Sequence, residues 1–93
     1  MNYDNNQIIQ YLDSATISAL FRVYGIKYDA IGMRLRCTRQ NIVYKMKTDS
    51  WKDYERQMVL ELLRQHGLET VELILINRMV NTSKNLKQGR EMK

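Results

Sequence analysis

Apolar residues recur along this chain at helical spacing, and the breaks between them divide it into short elements. Ile31 and Leu35 stand four apart on one helix face, and Ile42 and Met46 do the same after a break at Arg36-Cys37-Thr38. The spacing predicts two helices, about Lys27 to Leu35 and Thr38 to Lys47, whose apolar stripes face one another across a tight turn. Upstream, Leu12, Ala15, Ile17, Leu20, Phe21 and Tyr24 mark the inner face of a helix from about Ile8 to Tyr24, broken near Asp13-Ser14 and ended by Gly25. Downstream, Asp49-Ser50 offers a cap, and Trp51, Tyr54, Met58 and Leu62 follow at the spacing of a long amphipathic fourth helix that Gly67 stops. Val71, Leu73 and Leu75 alternate with Glu72, Ile74 and Ile76, which permits a strand. A helix over Leu68 to Val80 places Val71, Leu75 and Met79 on one face with Ile74 beside them, and Thr70 and Glu72 suit a helix start. Helix is the expectation.

After Val80 the residues NTSKNLKQGREMK are polar and basic without apolar periodicity, so residues 81–93 are expected to be a mobile, disordered tail. Proline is absent and there are only four glycines, which favours helices over a turn-rich β fold. The expected fold is therefore all-α, a compact bundle of about five helices in one domain over residues 1–80.

The local chemistry between Asp29 and Lys47 is more specific. Gly32 lies within an apolar stripe, where it costs about 1 kcal/mol relative to Ala unless the missing Cβ lets a second helix cross closely. Thr38 suits the N-cap of the following helix, because its hydroxyl can accept from a free backbone N–H of the first turn. Arg39, Gln40, Asn41, Val43, Tyr44, Lys45 and Lys47 are then left on faces that Ile42 and Met46 do not use. Arg, Gln and Asn are the side chains that pair bidentately with purine edges in the DNA major groove.

This segment resembles the helix-turn-helix of the Cro and phage-repressor class, also called the xenobiotic-response-element class. The likeness lies in Gly32 as the small residue of the first helix, in Ile31, Leu35, Cys37 and Ile42 as apolar positions, in Thr38 opening the second helix, and in the phrase TRQNI. It is tight over roughly a fifth of the chain. The resemblance implies that Arg39, Gln40 and Tyr44 face base edges with Asn41 nearby, and that Tyr28 at the start of the first helix lies against a phosphate. The family usually has Gly at the turn where this chain has Arg36, and positive φ costs a non-Gly residue energy.

Charge placement agrees with a polyanion partner. From Arg34 to Lys47 there are five basic residues and no acid, which equals the net charge of +5 of the whole chain. Thr48 to Glu72 holds three bases against six acids, and Leu73 onward five against one. A patch of this kind attracts nucleic acid by releasing condensed counterions, without sequence preference.

Other residues carry weaker signals. His66 is the only histidine and has no nucleophile or orienting carboxylate at a telling spacing, so it is expected exposed near a helix C-terminus. The single cysteine, Cys37, forms no intrachain disulfide and is expected as a small core residue, and Trp51 as a packing anchor. Neither phosphate loop, HExxH pattern nor EF-hand loop is present. The expectation is a non-enzyme without cofactor, metal or evident small-molecule ligand. No stretch approaches the ~20 apolar residues that span a bilayer, and cysteine usage suits a reducing cytosol, so a soluble cytoplasmic protein is expected. The apolar surplus of Val71, Ile74, Leu75 and Met79 is the candidate homodimer contact, with the last core helix as the alternative.

These features together predict a sequence-specific double-stranded DNA-binding regulator, a small repressor of a phage, plasmid or other mobile element. The alternative is a protein-interaction module, an antirepressor or an inhibitor of a host protein, that uses the same helices as a scaffold.

Overall fold

A computed structural model describes the backbone of residues 4–91 and the side chains of residues 4–82. Among these, every regular element is helical: α1 (Asn5–Ile8), a 3-10 turn (Ile9–Tyr11), α2 (Ser14–Tyr24), α3 (Tyr28–Leu35), α4 (Arg39–Thr48), α5 (Asp53–Gln65) and α6 (Thr70–Glu91). The expected break at Asp13-Ser14 is real. Asp13 is the N-cap of α2, and its carboxylate accepts from the Thr16 backbone N–H at 2.8 Å. Gly25 closes α2 in the left-handed conformation at φ 66°.

The core is one apolar cluster to which every helix contributes. Ile9, Leu12, Ile17 and Leu20 from the first third of the chain meet Ile31 of α3, Ile42 of α4, Val59 and Leu63 of α5 and Leu73 of α6, all at 0% exposure. Burying an aliphatic side chain of this size contributes about 1.5–3 kcal/mol. Trp51 is the expected anchor but precedes α5 rather than opening it. Asp49 and Ser50 do not cap that helix. Asp49 is instead the C-cap of α4, at φ 51°, and Lys52 occupies the N-cap position of α5. Tyr54, expected to point inward, is 57% exposed, because a start at Asp53 turns Glu55, Val59, Leu62 and Leu63 to the core.

Leu68 to Val80 is helix and not strand. Leu73 faces the core, with Ile76, Asn77 and Val80 half-buried, and this is a period of three to four residues. Asn77 gives the packing a polar register, donating through Nδ2 to the Tyr11 carbonyl at 2.9 Å and to Thr16 Oγ1 at 3.2 Å. The helical backbone continues through the stretch expected as a disordered tail, as far as Glu91. Propagating a helix adds one hydrogen bond per residue, and no proline interrupts this one. The side chains of residues 83–93 lie outside those described.

Candidate nucleic-acid interface

Two helices and a short turn build the surface of interest. The α3 helix ends at Arg36, which takes the left-handed conformation at φ 55° and ψ 43°, and its N–H donates back to the Met33 carbonyl. The turn thus has the geometry that glycine adopts most cheaply, held here by an arginine. The next N–H, of Cys37, donates to the Gly32 carbonyl at 2.9 Å. A Cβ on Gly32 would lie 2.9 Å from the Cys37 carbonyl oxygen and 3.8 Å from Ile42 Cγ1. That contact is the packing reason for a glycine inside the stripe. Thr38 then caps α4, its Oγ1 accepting from the Asn41 backbone N–H at 3.2 Å.

On α4 only Ile42 is fully buried, with Lys45 and Met46 half-buried on the same side. At about 100° per residue, Gln40, Val43, Tyr44 and Lys47 share the opposite face, and Arg39 and Asn41 flank it. All six are exposed. Tyr44 is 64% exposed. Val43 belongs to this face although composition alone gave no reason to single it out. Its signal is position, three residues beyond Gln40, and an apolar group there suits a thymine methyl.

The remaining residues of the site divide. Lys47 is exposed and lines an open cleft of about 450 Å³ with Tyr28, Val43, Met46, Asp13 and Asp49. Tyr28 begins α3 at the mouth of that cleft but is half-buried, its ring tilted against Phe21 with centroids 6.3 Å apart. Lys45 stands apart from both. Its ammonium lies 2.7 Å from Glu55 Oε2, and the two side chains are only 20% and 4% exposed.

The C-terminal end of α4 is tied to α2 by a polar cluster. Asp49 Oδ1 accepts from both the backbone N–H and the hydroxyl of Ser14 at 2.9 Å, and the Trp51 indole N–H donates to Ser14 Oγ at 3.1 Å. Asp49 itself is exposed and lines the cleft beside Lys47, with one carboxylate oxygen engaged by Ser14. Across the body, Val71, Leu75 and Met79 of α6 are 61%, 53% and 67% exposed in one row, while Ile74 beside them is half-buried against the bundle.

His66 is exposed at the end of α5, its Nδ1 2.9 Å from the Leu62 carbonyl oxygen, and Cys37 is half-buried in the turn. Among the described residues no group of His, Cys, Asp and Glu side chains is placed to hold a metal, and no helix is long and apolar enough to cross a membrane. Comparison of the chain with protein-family models, with curated proteins and with solved structures finds no match.

Proposed function

We propose that this protein is a sequence-specific double-stranded DNA-binding regulator, a small cytoplasmic repressor of the kind carried by phages, plasmids or other mobile elements. The observation that supports this reading best is the outward face of α4. It presents Gln40, Val43, Tyr44 and Lys47 between Arg39 and Asn41, with no acid among them. Gln40 and Arg39 open the helix, where a recognition helix meets base edges, and their amide and guanidinium each make two-bond contacts to a purine. Lys47 and Tyr28 border the cleft at the other end of that face, where the DNA backbone would run.

The exposed row of Val71, Leu75 and Met79 supports a homodimer formed through α6, which would set two recognition helices against half-sites about one helical turn apart. Such a repressor acts by occupying its operator and excluding other proteins. The same apolar row also favours the second reading, a module that binds another protein. Selection of bound sequences from random duplex DNA separates the two. Enrichment of a palindrome is the expected outcome, and no enrichment gives precedence to the interaction module.

A further inference from the structure

The α4 helix has little apolar surface with which to fix its own orientation. Ile42 is its one fully buried residue, Met46 packing only half-buried against the core beside it, and so narrow an apolar stripe sets the height of a helix more firmly than its rotation about its axis. Lys45 supplies a second point one turn further along, on the inner side. Its ammonium meets Glu55 Oε2 at 2.7 Å, while the other carboxylate oxygen of Glu55 accepts the Lys52 backbone N–H at 2.9 Å. The carboxylate is therefore fixed by the first turn of α5 before it meets α4. Asp49, held by Ser14, gives a third point at the end of the helix.

We infer that Glu55 is a positioning residue for the DNA-reading face of α4, acting through Lys45. This rests on the DNA-binding reading above and assigns part of its specificity to a residue that lies off the reading face. Lys45 sits in the basic run that marks the segment, yet its charge is spent on a carboxylate 96% shielded from solvent. It neutralises no phosphate. A lysine that did so would contribute about 0.9 to the slope of log affinity against log salt. A positioning lysine leaves that slope alone and changes how well Gln40 and Arg39 meet their bases.

Glu55→Gln, Lys45→Met, Lys45→Arg and the Glu55→Gln/Lys45→Met pair are compared with the unmodified protein on the selected duplex and on a scrambled one, over a salt series. The temperature is one at which circular dichroism shows each variant folded. Glu55→Gln and Lys45→Met are each expected to lower the specific-to-scrambled ratio by about tenfold, the size of one lost base contact. The paired variant should be no worse than either single change, and Lys45→Arg should keep the ratio. The salt slope should not fall in any of them. Loss of fold alone would not move the ratio of the molecules that bind. An intact ratio in Glu55→Gln, or a slope reduced by about 0.9 in Lys45→Met, overturns the inference. Should Lys45→Met fail to fold, Glu55→Gln decides, since Gln keeps the size of the side chain and an acceptor for the Lys52 N–H. If the unmodified protein prefers no duplex, the DNA-reading proposal itself falls, and the positioning role with it.

Discussion

The helices α4 and α6 both expose a full face, and they are held in opposite ways. The α4 helix buries one aliphatic side chain completely and is fixed by polar tethers, Lys45 to Glu55 and Asp49 to Ser14. The α6 helix packs Leu73 with the half-buried Ile74, Ile76 and Val80 against the body, adds the Asn77 bonds, and still leaves Val71, Leu75 and Met79 uncovered. The difference follows from what each outer face must offer. A face of amide, guanidinium, phenol and ammonium groups is stable in water without a partner, so its helix can be short and sparingly packed. An apolar row needs covering, and the helix that carries it is long and rooted by many contacts.

Truncating the root of α4 breaks this contrast most severely. Ile42→Ala should cost about 2–5 kcal/mol in denaturant unfolding, because the cavity forms where α4 has its sole complete burial. A loss well under 1 kcal/mol would mean that the polar tethers alone hold the helix.

The exposed face of α4 should respond in binding and not in folding. Gln40→Ala should leave the unfolding midpoint in place and cost about 1–3 kcal/mol on the selected duplex, relaxing preference at one base pair. Lys47→Ala should instead weaken all duplexes alike and flatten the salt dependence. Titrations on selected and scrambled duplexes distinguish them, and an unchanged ratio in Gln40→Ala would remove base reading by this residue.

On α6 a charge placed in the apolar row should be tolerated by the fold. Leu75 is 53% exposed, so Leu75→Glu should shift stability of the single chain by only about 0.5 kcal/mol. Light scattering should find a dimer for the unmodified protein at micromolar concentration and a monomer for the variant. A monomeric mass for both would sink the homodimer, and an unfolded variant would place Leu75 in the core.

The smallest effect concerns the tether at the start of α6. The Tyr24 hydroxyl donates to Glu72 Oε1 at 2.5 Å, and that bond to a carboxylate, aided by burial and by the Glu72 and Glu69 charges, pushes its pKa from 10.0 up to about 12. A group whose pKa is raised by folding contributes its stability fully below the unfolded value, and the contribution is lost as pH climbs through the folded one. The bond should therefore be intact at pH 10 and fail near 12. In an absorbance titration Tyr24 should ionise at about 12, and Glu72→Gln should return it toward 10. A Tyr24→Phe variant whose titration keeps the late phase would contradict the assignment.

Much of this molecule was legible in short windows of sequence, for a physical reason. Helix faces, caps and stops depend on residues within a turn or two of one another, so the stripes through Ile31 and Ile42, the break at Asp13-Ser14, the cap Thr38 and the stop at Gly25 could be read directly. Gly32 posed the right question, and only the 2.9 Å approach of the Cys37 carbonyl answered it. The outer face of α4 was also within reach, since it is whatever Ile42 and Met46 leave over.

Tertiary structure alone decided the partners of residues distant in sequence. The basic run predicted a free ammonium at Lys45, because nothing nearby in sequence shows that Glu55 turns back against α4 from the next helix. Asp49 looked like a cap for the helix after it until packing brought it to Ser14, 35 positions away. The continuation of α6 past Val80 was hidden because a helix without an apolar stripe leaves no periodic trace. The sequence by itself determined most of the helix positions and which residues the outer face of α4 would hold. Packing decided which charges remain free to meet a partner, because an ion pair between two helices exists only once both have docked.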